Sequence, residues 1–176
     1  MQYLGLATDY DGTIAKEGKV ADETVTALKR FASSGRKLLL VTGRQLEDLK
    51  AVFPEWNLFH CIVAENGGHL FWPATGEIAL LAPPPQVVFV RSLEAKGVEP
   101  LSVGRTIVAT VDRHLATVEE TVRDLGLNLH VSLNKGSVMV LPTHVDKSTG
   151  LVTASSLEYD RGLWSEFKLS SASFTV

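Results

Sequence analysis

The chain has 176 residues, of which 45% are hydrophobic and 21% charged, enough for one full core or for a medium domain with a smaller inserted module. The formal net charge of -3 excludes a general attraction to nucleic acid or anionic membranes, so any phosphate site must be local and its ligand small. Cys61, the single cysteine, excludes an internal disulfide, and no apolar run approaches the ~18 residues of a membrane span, so we expect a cytoplasmic protein.

The first part of the chain alternates predicted strands and helices. The predicted elements are a strand at 3–8, a helix at 22–35, a strand at 37–41, a helix at 46–53 and a strand at 62–64. Asp22 is the predicted N-cap of the first helix, Gly35 its stop, and Pro54 the end of the second helix. The first strand lacks polar alternation, which predicts a central strand covered on both faces. Alternation of this kind predicts an α/β fold with a parallel sheet.

Residues 68–81 differ from the preceding pattern. Two apolar runs flank the breaker group at 73–76 and predict a hairpin. The triple proline at 83–85 suits neither a helix interior nor a strand, and its stiff extended form predicts a domain junction.

An α+β module is predicted after the triple proline. Its elements are a helix at 86–96, a strand at 106–111, a helix begun at Asp112 and a strand pair at 127–133 and 137–141. The predicted domains are therefore a core made of 1–82 and 143–176, and an inserted α+β module at 83–142.

Polar residues follow the first two predicted strands. Asp9 and Asp11 come after the first, and Thr42 and Gly43 after the second. Ligands of open parallel sheets bind at the carboxyl ends of the strands. Two carboxylates beside Gly12 can hold Mg²⁺, and one can attack phosphorus while the other moves a proton. Either motif alone is more typical of a simple turn, but their occurrence together on successive strands favours phosphoryl transfer.

Four segments carry a resemblance to a known family. The segments 9–13, Asp-Tyr-Asp-Gly-Thr, and 41–44, Val-Thr-Gly-Arg, resemble the first two motifs of the haloacid dehalogenase-like (HAD) phosphatases. The segment 65–68, Glu-Asn-Gly-Gly, resembles the turn of the subgroup whose cap is inserted after the third strand, as in sugar phosphatases and archaeal-type phosphoglycolate phosphatases. Leu141-Pro142 followed by 146–150, Asp-Lys-Ser-Thr-Gly, resembles the third motif.

The resemblance implies a Rossmann-like core, an inserted cap at 83–142, Mg²⁺ and a covalent aspartyl-phosphate intermediate. It implies that Asp9 is the nucleophile and a metal ligand. It also implies that Asp11 protonates the leaving alcohol and then activates water, with its backbone carbonyl on the metal. The residues implied to bind the phosphoryl group are Thr42, Gly43, Lys147 and Asn66. Asn66, like Arg44, is also open to a role as a turn cap.

The sequence departs from the family pattern after Gly150. The expected fourth motif, Gly-Asp followed by Asn-Asp, is missing, and Glu158, Asp160 and Glu166 lie in no such loop, so no metal role is assigned to them. This predicts a truncated or divergent C-terminus, an exposed edge of the sheet, weak Mg²⁺ binding and low or absent turnover.

The leading hypothesis is a Mg²⁺-dependent hydrolase of a small phosphorylated metabolite such as phosphoglycolate or a sugar phosphate. One alternative is a non-catalytic or regulatory HAD-like remnant of a longer protein. Another is a phosphomutase, which uses the same intermediate but returns the group to a sugar. The sequence predicts neither the substrate itself nor the oligomeric state.

Overall fold

The structure, a computed structural model, describes residues 5–134 and 136–160. The chain forms two compact units: the first extends to Leu81 and resumes at Asp146, and the second is the segment from Ala82 to Val145. The predicted divergence of the C-terminus falls mostly on residues 161–176, which include Glu166 and lie outside the described residues, as do Lys135 and the side chains at 158–160. No helix in the described ranges is long and apolar enough to cross a membrane.

The first unit is built on a five-stranded sheet. Its elements before Leu81 are β1 (Gly5–Asp9), β2 (Ala15–Lys16), β3 (Lys19–Val20), α1 (Asp22–Ser33), β4 (Lys37–Val41), α2 (Leu46–Val52), β5 (Cys61–Ala64), β6 (His69–Trp72) and β7 (Glu77–Leu80). The sheet order is β1-β4-β5-β6-β7, with β1, β4 and β5 parallel and β6 and β7 antiparallel. The α/β class and the hairpin are confirmed, and the hairpin makes the sheet mixed.

The second unit is an antiparallel sheet with helices. Its elements are α3 (Val87–Ala95), β8 (Ser102–Val103), β9 (Val108–Val111), α4 (Leu115–Asp124), β10 (Leu129–Asn134) and β11 (Ser137–Pro142). The sheet order is β10-β11-β9-β8, and Phe89, Leu93, Val118 and Val138 are buried in one apolar cluster. The helix predicted from Asp112 begins instead with a 3-10 turn, and the two-residue strand β8 is too short to produce a recognisable sequence pattern.

The first unit is completed by α5 (Lys147–Asp160). Successive residues of a strand point to opposite faces of its sheet. Leu38 and Leu40 of β4 join a buried cluster with residues of α1 and α2, whereas Leu39 and Val41 join one with Leu151 of α5. The central strands are therefore apolar throughout because helices cover both of their faces.

Two local predictions in this unit are wrong. Within the described ranges β1 pairs with β4 alone, and Leu6 is 41% exposed, so β1 is an edge strand here and not a central one. An apolar run indicates burial but does not specify which strands lie beside it. The N-cap of α1 is Ala21, and Asp22 is instead the first helical residue. There its charge favours the helix through the macrodipole.

Two glycines let α5 pack directly on the turn that follows β5. Gly67 has a φ of +99°, and a Cβ atom there would lie 2.0 Å from the carbonyl oxygen of Asp146. A Cβ atom on Gly150 would lie 2.6 Å from Gly67 Cα and 2.7 Å from Val63 Cγ1. Glycine inside a helix costs about 1 kcal/mol relative to alanine. The close contact with Gly67 explains why a glycine is nevertheless present at position 150. The position of α5 therefore depends on this close contact.

The substitution Gly150→Ala should destabilise the protein by roughly 1–3 kcal/mol, because the added methyl group overlaps the backbone of Gly67. Urea unfolding followed by circular dichroism measures the change. Ser148→Ala is the matched control, since Ser148 is exposed in the same helical turn. Its replacement should change the free energy of unfolding by less than about 0.5 kcal/mol. Equal midpoints for both variants would show that α5 can move away from Gly67 at no cost.

Candidate active site

Three parallel strands end side by side at one edge of the first sheet. The register pairs Asp9 of β1 with Val41 of β4, and Val41 with Val63 of β5. The loops after these strands therefore meet at the carboxyl end of the sheet, where ligands of such sheets bind. The candidate residues Asp9, Thr42 and Asn66 all lie in or beside these loops.

The loop after β1 turns tightly around a buried tyrosine. Gly12 has a φ of +88°, which glycine adopts without strain, and its N–H donates to the Ala15 carbonyl at 2.8 Å. Tyr10 is fully buried, and its hydroxyl donates to the Gly18 carbonyl at 3.0 Å. Burial raises the pKa of Tyr10, with Arg44 opposing, so the phenol stays a neutral donor. Tyr10 thus connects the candidate nucleophile loop to the small hairpin of β2 and β3.

Asp9 is bound by a lysine that lies far away in sequence. Lys147 Nζ lies 2.7 Å from Asp9 Oδ1, and the two side chains are 24% and 19% exposed. Thr13 Oγ1 is a weaker partner at 3.5 Å from Asp9 Oδ2. The structure therefore brings together the first and third sequence motifs, as expected if Lys147 returns to the site.

The start of α5 holds Lys147 in place. The Asp146 N–H donates to Thr149 Oγ1 at 2.9 Å, and the Thr149 N–H donates to Asp146 Oδ1 at 2.7 Å. This reciprocal pattern caps the helix from Asp146, with Lys147 as its first residue. A cation at that end opposes the helix macrodipole, and the carboxylate of Asp9 offsets this cost.

Asp11 is held by Arg44 and is not free in the site. Arg44 Nε donates to Asp11 Oδ2 and Arg44 Nη2 to Asp11 Oδ1, both at 2.7 Å. The guanidinium carbon also lies 5.4 Å from the centre of the Tyr10 ring. The hydrogen bond to Asp11 raises the pKa of Arg44, so the guanidinium remains charged. The sequence left Arg44 between a site role and a turn cap, and the structure shows its contact with Asp11.

The remaining candidates form the connection between the loops after β4 and β5. Thr42 is buried, and its hydroxyl accepts the Arg44 N–H at 3.1 Å. The Asn66 N–H donates to the Thr42 carbonyl at 3.0 Å, and the Glu65 N–H to the Arg44 carbonyl at 3.1 Å. Gly43 lies between these contacts and is half-buried. Backbone hydrogen bonds thus fix the relative position of the two loops.

The turn after β5 is strained and contains buried polar groups. Glu65 and Asn66 both have a φ of +52°, which is uncommon for residues other than glycine. Glu65 is 1% exposed and His69 is fully buried, with Glu65 Oε1 3.8 Å from His69 Nδ1. Strained backbone of this kind occurs often at functional sites. The burial of Glu65 and His69 was not predictable from the sequence, because no local pattern distinguishes them from surface residues.

The described residues fit only part of a magnesium site. They contain no group of three or more His, Cys, Asp or Glu side chains that could hold a metal ion. Asp9 and Asp11 offer the oxygen ligands that Mg²⁺ prefers. Each carboxylate, however, is already paired with a cation, Asp9 with Lys147 and Asp11 with Arg44. The carboxylates of Asp9 and Asp11 are therefore each balanced by a cation, with which a divalent cation would have to compete.

Comparisons with known proteins agree with the motifs. Residues 6–80 match the family model of haloacid dehalogenase-like hydrolases. No curated protein matches the chain in sequence. Among solved structures, the fold is similar to that of a haloacid dehalogenase-like hydrolase from Bacteroides thetaiotaomicron, with a TM-score of 0.70 and 18% identity over 92% of this chain and 78% of that one.

Two further structures have related folds. The C-terminal domain of trehalose-6-phosphate phosphatase from C. albicans has a TM-score of 0.63 and 17% identity over 83% of this chain and 59% of that one. A HAD subclass IIB sugar phosphatase has a TM-score of 0.66 and 15% identity over 90% of this chain and 76% of that one. At these identities the likeness shows the shared fold alone.

The Asp9–Lys147 ion pair should contribute little to stability, because both side chains are partly exposed and screened by solvent. A double-mutant cycle of Asp9→Asn and Lys147→Met, followed by urea unfolding, should give a coupling energy of about 1 kcal/mol or less. The surface pair Lys96–Glu120, at 3.3 Å, provides a matched comparison cycle. A coupling of several kcal/mol at Asp9 would instead make the pair a structural element.

Proposed function

We propose that the chain is a phosphatase of small phosphate monoesters that acts through an aspartyl-phosphate intermediate, a proposal supported by the match of residues 6–80 to the family model of haloacid dehalogenase-like hydrolases. The observation that carries this proposal is the contact of Lys147 with Asp9 at 2.7 Å, which joins residues 138 positions apart at the carboxyl end of the sheet. Such a pair places a cation where a phosphoryl group would meet a carboxylate nucleophile.

The proposed reaction has two steps at the same phosphorus. In the first, an Asp9 oxygen attacks phosphorus, the bond to the leaving oxygen breaks, and Asp11 in its acid form donates a proton to that oxygen. In the second, Asp11, now a carboxylate, takes a proton from the water that attacks the aspartyl phosphate. Inorganic phosphate leaves, and Asp9 and Asp11 return to their initial states.

Cationic and polar groups around Asp9 would hold the phosphoryl group. Lys147 would offset the repulsion between the substrate and Asp9. This repulsion is the largest electrostatic cost of bringing the two anions together. Thr42, Gly43 and Asn66 are proposed to bind phosphoryl oxygens. The hydroxyl of Thr42 already accepts the Arg44 N–H, an interaction that leaves its own proton available to donate.

Magnesium is proposed as the cofactor, held by Asp9 and by the backbone carbonyl of Asp11. When bound, it would draw negative charge from the phosphoryl oxygens. The inserted segment 83–142 is proposed to act as the cap that contacts the leaving group. Two proteins with a similar fold are a trehalose-6-phosphate phosphatase and a sugar phosphatase, which supports a sugar phosphate substrate, with phosphoglycolate as the other choice. A cytoplasmic location stays a prediction.

The substitution Asp9→Asn should reduce Mg²⁺-dependent hydrolysis of p-nitrophenyl phosphate to background, because the amide cannot act as the nucleophile. Released phosphate measures the activity. Asp22→Asn is the control, since Asp22 is exposed at the start of α1 and should keep full activity. Equal rates for Asp9→Asn and the unchanged protein would exclude Asp9 as nucleophile. Isomerised sugar phosphate without free phosphate would indicate a phosphomutase instead.

A non-catalytic HAD-like protein is the second candidate, and the paired charges of the site favour it. Among the described residues, no third acidic side chain accompanies Asp9 and Asp11 as a metal ligand. Binding of Mg²⁺ must then compete with Lys147 for Asp9. A protein of this kind would keep the fold and the ion pairs without turnover.

Titration calorimetry with MgCl₂ should therefore show weak binding, outside the micromolar range, together with low turnover. Lys147→Met is the informative variant, because removal of the cation frees Asp9 and should tighten Mg²⁺ binding. Micromolar binding and rapid hydrolysis by the unchanged protein would contradict this prediction and would indicate a metal ligand beyond the described residues.

A further inference from the structure

We infer that Arg44 is a positioning residue in the proposed reaction and that it orients Asp11 for proton transfer to the leaving group. This inference rests on the proposed function. The contact itself has the geometry that orientation requires. Nε and Nη2 of Arg44 each donate to a different oxygen of Asp11 at 2.7 Å. A single hydrogen bond would let the carboxylate rotate, whereas a two-point fork fixes its plane.

Arg44 is itself held from several sides, through its backbone and through its guanidinium. The Arg44 N–H donates to Thr42 Oγ1 at 3.1 Å, and the Arg44 carbonyl accepts the Glu65 N–H at 3.1 Å. The guanidinium carbon lies 5.4 Å from the centre of the buried Tyr10 ring. Arg44 is therefore tied to the loops after all three parallel strands. A side chain held in this way can transmit a fixed orientation to Asp11.

Stability alone does not account for this arrangement. The side chains of Arg44 and Asp11 are both 29% exposed, and partly exposed ion pairs typically contribute only about 0–1 kcal/mol. The contacts with Tyr10 and with the backbone would persist for an apolar side chain of similar length. What an apolar side chain cannot supply is the fork on the carboxylate.

The two cations contact different carboxylates, and this arrangement supports the positioning role of Arg44. Lys147 contacts the proposed nucleophile, and Arg44 contacts the proposed acid. Lys147 is thus placed to meet the phosphoryl group, while the fork of Arg44 is occupied by Asp11. Loss of Arg44 should impair proton transfer more than phosphate binding. Proton transfer matters most when the leaving group is poor.

The experiment compares Arg44→Met and Arg44→Lys with the unchanged protein on two substrates. p-Nitrophenyl phosphate has a leaving group that needs little protonation, and glycerol phosphate has one that needs a proton. We expect Arg44→Met to lower kcat for glycerol phosphate roughly 10–100-fold more than kcat for p-nitrophenyl phosphate, with KM nearly unchanged. Arg44→Lys should recover little of this difference, because a lysine forms only a single contact.

Arg36→Met is the matched control. Its guanidinium carbon lies 5.7 Å from the Phe31 ring, so it too packs on an aromatic side chain, but it precedes β4 at the opposite end of the strand from the site. This variant should change both rates equally or not at all. Equal losses on both substrates in Arg44→Met would overturn the inference.

Crystal structures of the unchanged protein and Arg44→Met decide the inference even if neither hydrolyses phosphate. The expected result is a displaced Asp11 carboxylate with the Asp9–Lys147 contact intact. An Asp11 carboxylate in the same place without Arg44 would overturn the inference. Absence of hydrolysis in the unchanged protein would contradict the proposed function alone, because the orientation of Asp11 is then judged from its position.

Discussion

The parallel pairing of β1, β4 and β5 is the constraint on which the rest of the first unit depends. The register that places Asp9 beside Val41, and Val41 beside Val63, brings three loops to one edge of the sheet. Backbone hydrogen bonds between Thr42 and Asn66 then lock two of these loops together. The sheet therefore determines the position of the site, because the loops have little freedom to separate while the strands remain paired.

The charges at this edge are arranged as two neighbouring pairs. Lys147 neutralises Asp9, and Arg44 neutralises Asp11. Ion pairs of this exposure contribute little to stability, so their value lies in placing charged groups at defined positions. In the proposed reaction, Lys147 would lower the electrostatic cost of contact between a phosphate monoester and Asp9. The same pairing is the reason we expect the described residues to bind a divalent cation weakly.

Helix α5 brings the last of these charges into the site, and its position rests on shape. The backbones of Gly67 and Gly150 approach so closely that a Cβ atom on either would overlap the other segment. The strained turn at Glu65 and Asn66 leads directly into Gly67, which makes this contact with the helix. The close contact between Gly67 and Gly150 therefore compensates the strain in the turn. The same contact fixes the position of the start of α5, where Lys147 lies.

Much of the fold was predictable from local pattern. The strand at 37–41, the helix that ends before Pro54 and the hairpin of β6 and β7 follow from apolar periodicity and from breaker residues, which act over a few neighbours. The apolar pattern of β1 did not predict that, among the described residues, it lies at the edge of the sheet, because burial patterns do not specify the neighbouring strands. The short strand β8 was missed because two residues contain no periodicity.

By itself, the sequence determined the α/β class, the match of residues 6–80 to a family model and the residue types available for the proposed reaction, because short motifs and periodicity are local properties of the chain. Only the tertiary structure decided which of these groups meet. It joined Lys147 to Asp9 and assigned Arg44 to Asp11, and it buried Glu65 beside His69. These contacts span distant parts of the chain or depend on the path of a turn, and the register of the sheet and the packing of α5 create them.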